Sequence, residues 1–241
     1  MSNIILFVYN FPHKKSLKGM QLIKSYGLND ISVVAAPKKK LNFRQSKKRI
    51  SIQEEELVNP FELALQYGWK ALVADHNSKE ALQFYNDIKP EYGIILGSRI
   101  LSQEVINNFN AGIINFHPGV LPENRGLDNL KWAIYRNIPQ GVTTHIIDKN
   151  IDMGEMIYKD YIEVNEEDTI FDVDSKLLDL QFKHLKILLD NNFDIGETSS
   201  LKSNNKSQKA VTDAIDKDIY NNFHQYKKKY SRILQNYKSV D

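Results

Sequence analysis

The chain has 241 residues, which at about 150 residues per domain allows one full α/β core with an appendage, or two small domains. Hydrophobic residues at 41% and charged residues at 26% sit near the globular average, which disfavours wholesale disorder and fibrous repeats. With 32 basic and 30 acidic residues the net charge is +2, too balanced for a protein whose main task is coating nucleic acid, and the lack of cysteine removes disulfide scaffolds, thiolate catalysis and cysteine metal sites.

No apolar run approaches the ~18 residues of a spanning helix, so no membrane partner is expected. The start has a short apolar stretch with no basic segment before it and no small-residue cleavage site after it, the reading of a cytoplasmic protein whose first strand is Asn3 to Tyr9. Leu17, Met20 and Ile23 then recur at helical spacing, and Ile31 to Ala36 is a β-branched run closed by Pro37. The lysines and arginines between residues 38 and 49 read as a solvated excursion, with a phosphate-facing patch as the sharper alternative. Asn59-Pro60 opens a helix that Gly68 ends, Ala71 to Ala74 is a short strand, and Ser78 caps a helix to about Ile88. Gly93 to Gly97 is a strand, Ser102 caps a helix to about Phe109, and Gly112 to His117 is a strand again. This alternation predicts a Rossmann-like α/β fold, a mostly parallel sheet with helices on both faces.

A Pro/Gly loop comes next, then a helix near Asn129 to Arg136, a strand from Val142 to Asp148, and a strand from Tyr158 to Val164 near the edge. Asp168 or Thr169 caps a long helix with an apolar stripe through about Leu189. Residues 194–210 have linker composition, and the last stretch is helical, with Ile219, Phe223, Tyr226, Tyr230 and Ile233 on one face. That face suits either the chain's own core or a homodimer contact. The expected organisation is a catalytic domain over residues 1–195 and a linker with a short C-terminal helical extension over 196–241.

Asn115 and His117 lie two apart at the end of an apolar strand that Pro118 stops, so both side chains leave on one face. In open parallel sheets, ligands bind beyond the carboxyl ends of the strands, where this pair is placed. Asp152 comes after the next strand, on a turn ending in Gly154, and reaches the same mouth. An amide, an imidazole and a carboxylate suit acyl transfer to an amine. The first two hold a developing oxyanion, the imidazole passes protons, and the carboxylate supports its positive charge. Taken singly, each residue has a plainer reading as a turn former or a satisfied polar group. A zinc or iron site built from His117, His145, Asp148 and Asp152 is the sharper rival, disfavoured because His145 lies inside a predicted strand. A nicotinamide site is disfavoured because no G-x-G-x-x-G comes after the first strand.

Asn115-Phe116-His117-Pro118-Gly119-Val120-Leu121-Pro122, then Arg125-Gly126, Trp132-Ala133-Ile134, Gly141-Val142-Thr143-Thr144-His145 and Ile151-Asp152-Met153-Gly154, resembles the signature of the 10-formyltetrahydrofolate-dependent formyltransferases. The resemblance implies 10-formyltetrahydrofolate as the one-carbon co-substrate and Asn115, His117 and Asp152 as catalytic residues, with no metal. The stretch Leu96 to Leu101 is similar to the family's folate-lining segment, which implies cofactor contacts for Gly97, Arg99, Ile100 and Leu101. His145 and the turn beginning at Asp148 join them on the cofactor side.

The glycinamide ribonucleotide branch carries a glycine-rich phosphate loop after the first strand, where this chain has Tyr9-Asn10-Phe11-Pro12. The methionyl-tRNA branch carries a C-terminal β-barrel, where this chain reads as helical. His-Pro-Gly at 117–119, Arg125 to Asp128 and Lys131 to Pro139 look more like the sugar nucleotide N-formyltransferases. That resemblance implies a dTDP-linked 3- or 4-amino-dideoxy sugar as acceptor, no nucleic-acid partner, and Asn10 and Arg125 as substrate-side candidates. The competing expectations are a shortened methionyl-tRNA formyltransferase and a metal-dependent hydrolase using the same His/Asp cluster.

Overall fold

The computed structural model describes residues 3–39, 58–204 and 206–237, with side chains of the last helix described to residue 231. Ile4 to Val8 in β1 (Ile4–Tyr9) are all buried, which is how a strand covered on both faces reads as one unbroken apolar run. The alternation of the pleat divides them. Ile4, Leu6 and Val8 pack on one side with Met20 and Ile23 of α1 (Lys14–Ser25), Leu63 of α2 (Pro60–Gln66) and Leu185 and Leu188 of α6 (Ile170–Asp190). Ile5 and Phe7 pack on the other side with Ala81 and Tyr85 of α3 (Lys79–Ile88) and Val105 of α4 (Gln103–Ile106). The prediction of a parallel sheet between two helical layers is met.

Eight strands form one sheet in the order β3-β2-β1-β4-β5-β6-β7-β8. β3 (Lys70–Val73), β2 (Ile31–Ala36), β1, β4 (Tyr92–Ile95) and β5 (Gly112–His117) run parallel. β6 (Gly141–Ile146), β7 (Gly154–Tyr161) and β8 (Ser199–Leu201) continue the sheet antiparallel. The strand order reverses between β1 and β4, the switch point at which such sheets open a crevice. The start of β7 precedes the predicted strand by four residues, because Gly154 takes a φ of +99° and turns the chain straight into pairing with β6. β8 lies in the stretch read as a linker: its Ser-Ser-Leu pairs by backbone alone and leaves no apolar signature.

Caps fall where the sequence placed them. The Ser78 and Ser102 hydroxyls accept from Ala81 and Val105 amides, Asn59 caps α2 ahead of Pro60, and Thr169 forms a capping box with Asp172. A third apolar cluster joins Leu130 and Ile134 of α5 (Asn129–Arg136), Val142, the first half of α6, and Ile219, Phe223, Tyr226 and Tyr230 of α7 (Asp213–Tyr237). The apolar face of α7 is thus taken up inside the chain rather than left for a second copy; the Ile233 side chain lies outside the described residues. Among the described residues no helix is long and apolar enough to cross a membrane.

Candidate active site

β5 delivers Asn115 and His117 to the sheet's carboxyl edge, next to the antiparallel strand β6. The register sets Asn115 directly opposite His145, and the Asn115 amide Nδ2 donates to His145 Nε2 at 3.3 Å. The other ring nitrogen, Nδ1, donates to the Met153 carbonyl at 2.9 Å. That tautomer is neutral, in keeping with burial and the nearby His117, which together pull the His145 pKa down to about 4. His145, expected on the cofactor side, is fully buried, with its Nε2 held against the Asn115 amide.

His117 is buried between two acceptors. Its Nδ1 lies 3.2 Å from Asp152 Oδ1, and its Nε2 lies 2.8 Å from the Asn124 carbonyl, so both ring nitrogens can donate. Asn129 Nδ2 stands 3.1 Å from the same Nε2 and 3.0 Å from the Asn124 carbonyl. Asp152 is half-buried in the left-handed region, with φ of 50°, a conformation Asp tolerates and that often marks a functional site. Burial pushes its carboxyl up, but the His117 imidazole and the Gly126 N–H, which donates to Oδ2 at 2.7 Å, outweigh this and hold it below its ordinary value. Only glycine fits at 154, since a Cβ there would meet the Ile146 carbonyl oxygen at 2.2 Å.

The remaining sequence candidates have mixed fates. Arg125 turns its guanidinium inward, donating from Nε to the Ile151 carbonyl at 3.0 Å, and so braces the turn that carries Asp152 rather than standing open to a substrate. Asn10 accepts from Asn59 Nδ2 at 2.9 Å, tying the loop after β1 to the start of α2. Arg99 Nη2 donates to the Pro37 carbonyl, with Nη1 3.5 Å from Asp75. Gly97 is needed for packing, because a Cβ would press on the Tyr9 ring at 2.9 Å. Leu101 is buried in the core while Ile100 is exposed. Asp148 caps its own turn through the Asn150 amide, so it does not join His117, His145 and Asp152, and no group of three or more such residues among those described is placed to share a cation. Lys39 pairs with Asp75; residues 40–49 of the basic stretch lie outside the described residues.

Three contributors escaped the sequence reading. Asn124, from the loop after β5, and Asn129, the first residue of α5, flank His117, and their spacing carries no signal for it. Lys15, on the first turn of α1, donates to the Phe116 carbonyl at 3.1 Å, between Asn115 and His117. Burial of its ammonium lowers the Lys15 pKa to about 7.

A doubly wound sheet thus gathers an amide, an imidazole and a carboxylate at its carboxyl edge, a set of groups suited to acyl transfer. The chain belongs to the formyl transferase family, whose model matches residues 3–189. That family transfers formyl groups from 10-formyltetrahydrofolate. A curated relative, the methionyl-tRNA formyltransferase of Caldanaerobacter subterraneus subsp. tengcongensis, is 35% identical over 123 residues, 49% of this chain and 40% of that protein. The chain thus matches well under half the length of that relative. Among solved structures, a sugar N-formyltransferase from Shewanella sp FDAARGOS_354 superposes with a TM-score of 0.56 at 20% identity, over 85% of this chain and 75% of that one. The N-formyltransferase of Helicobacter canadensis, solved with folinic acid and dTDP-3-aminofucose, gives 0.56 at 18% identity over 89% of this chain and 72% of that one. Those likenesses establish the fold.

Proposed function

We propose that the chain is a cytoplasmic N-formyltransferase that uses 10-formyltetrahydrofolate to formylate the amine of a dTDP-linked 3- or 4-amino-dideoxy sugar destined for a surface polysaccharide. The observation that carries the chemistry is the convergence of Asn115, His117 and Asp152 at one mouth. The donor set fits a formyl donor: an amide N–H for a carbonyl oxygen, an imidazole to move a proton and a carboxylate to support positive charge. When bound, 10-formyltetrahydrofolate supplies the formyl group as an activated amide. The acceptor amine bonds to the formyl carbon and loses a proton; the displaced nitrogen regains one. Asn115 and His117 face the oxygen on which charge develops, and Asp152 balances positive charge on the imidazole while the proton moves.

The sugar nucleotide reading is favoured by the chain beyond the family-matched region, since β8 and α7 fold back onto the catalytic sheet and its helices. The sugar N-formyltransferase from Shewanella and the Helicobacter N-formyltransferase solved with dTDP-3-aminofucose share this fold over most of the chain. The second reading, formylation of methionyl-tRNA, is favoured by the identity to the Caldanaerobacter enzyme. One experiment separates them. The protein is incubated with 10-formyltetrahydrofolate and either a panel of 3-amino and 4-amino dTDP-sugars or charged initiator tRNA, scored by a mass gain of one formyl group. Modification of tRNA alone, with steeply salt-dependent binding, would overturn the sugar assignment.

A further inference from the structure

The segment after the family-matched region does more than fill space against α5. Gln208 pairs with the loop behind the catalytic residues as an isolated parallel bridge to Gly126: its N–H donates to the Arg125 carbonyl at 2.8 Å and its carbonyl accepts from Leu127 N at 3.0 Å. Gly126, held at φ of +99°, has no room for a side chain, since a Cβ would lie 2.2 Å from the Gln208 carbonyl oxygen. Its N–H faces the other way, onto Asp152 Oδ2. Further along, the Val211 N–H donates to Asp128 Oδ2 at 3.0 Å, and Trp132 Nε1 donates to the Lys209 carbonyl at 2.7 Å. Asp128 precedes α5, whose first residue is Asn129 beside His117.

We propose that Gln208 to Val211 form a positioning clamp for the active site, holding the Arg125–Asn129 loop so that Gly126 meets Asp152 and Asn129 meets His117. The clamp lies outside residues 3–189, so it is a feature of this chain beyond the family-matched core. The inference rests on Asp152 and His117 being the reacting pair proposed above. Geometry alone carries the connection: the hydrogen bonds of Gln208, Lys209 and Val211 tie this segment to the loop and the first turn of α5, and the loop's own groups touch both members of the pair.

Asp128 is the lever to test, because Asp128 itself touches neither His117 nor Asp152. Asp128→Gly removes the acceptor for Val211 while suiting the left-handed φ of 51° at that site, and Asp128→Asn restores an oxygen acceptor in the same conformation. The first readout is the titration of the Asp152 carboxyl followed by NMR in the full chain, which needs no turnover. Groups facing Asp152 are His117 from β5 and His145 from β6, with Arg125 and Asp148 bordering its turn. The midpoint should move upward in Asp128→Gly as the Gly126 N–H loosens, and return in Asp128→Asn. The second readout is kcat on whichever acceptor the wild type formylates, expected to fall about tenfold to a hundredfold in Asp128→Gly with KM held, the size of effect that small misplacement produces. An unmoved Asp152 midpoint in a folded Asp128→Gly protein overturns the clamp, as does an equal fall in Asp128→Asn. A wild type that formylates nothing overturns the functional reading and leaves the midpoint test standing.

Discussion

Nδ1 of His117 and Oδ1 of Asp152 lie 3.2 Å apart, joining the last residue of β5 to the turn that opens β7. Neither residue is placed by its neighbours in sequence: a strand end and a left-handed turn are brought together by the β5–β6 pairing between them. In the proposed mechanism the carboxylate supports positive charge on the His117 imidazole. Asp152→Asn should therefore lower kcat by about 10²- to 10⁴-fold while binding of 10-formyltetrahydrofolate changes little. Steady-state kinetics with circular dichroism of the same preparation checks it; a folded variant with near-normal kcat would remove Asp152 from the mechanism.

His145 stands behind the Asn115 amide. Replacing it with Phe preserves bulk but leaves the Asn115 amide without its acceptor and the Met153 carbonyl without its donor. The expected outcome is a fall in kcat of about tenfold to a hundredfold with KM near wild type, the mark of a misplaced oxyanion donor. If KM for the folate rises while kcat holds, His145 is a ligand contact after all.

Burial also sets a pH window for stability. The pKa values of His76 and His145 are pulled from 6.5 to about 4 by loss of hydration, and both rings are buried. A histidine with a depressed folded value binds protons more readily when unfolded, so stability is full above pH 6.5 and is lost as pH falls towards 4. Roughly 1–3 kcal/mol from each ring is at stake. Urea unfolding at a series of pH values should show this slope, flattened in His145→Gln. Asp152 acts in a lower window: held below its ordinary 3.8, it contributes stability that disappears only as pH falls beneath that value.

The sequence shows the parts of this site that obey a local period and hides those that depend on long-range pairing. Asn115 and His117 were legible because a strand alternates strictly and Pro118 marks its end. The Asp152 turn was legible as far as Gly154 required it. His145 was placed on the right strand, but its contact with Asn115 was hidden, since only the β5–β6 register puts the two opposite each other. Arg125 looked like an open cation because nothing local shows that the Ile151 carbonyl lies within its reach. Gln208 was invisible for the same reason. It belongs to a polar stretch whose pairing partner is 82 residues earlier in the chain, at Gly126.

Gly119, two residues after His117, has no room for a side chain. A Cβ there would lie 2.6 Å from the Asn124 carbonyl oxygen and 2.8 Å from His117 Nε2. Gly119→Ser forces the Asn124 loop or the His117 ring aside, at a cost of about 1–3 kcal/mol in stability and a larger loss of turnover. Thermal unfolding and kcat measured together should show activity falling further than the folded fraction. A Gly119→Ser variant with unchanged kcat would mean that the loop yields freely.

Lys131 Nζ and Asp216 Oδ1 form a 2.6 Å ion pair between α5 and α7 with both side chains almost wholly out of water. Two charges taken from water repay that loss best while they face each other, so removing one takes from the other its opposite charge. Asp216→Ala and Lys131→Met should each cost about 3–5 kcal/mol. With both removed no buried charge has lost its counter-charge, and the double variant should be less destabilised than the two single costs added, by at least about 1 kcal/mol. Urea unfolding of the four proteins closes the cycle. Simple additivity would show that the pair contributes no coupling, and that α7 is held on α5 by apolar contacts and by the Lys229 and Tyr230 hydrogen bonds to the Asn137 carbonyl.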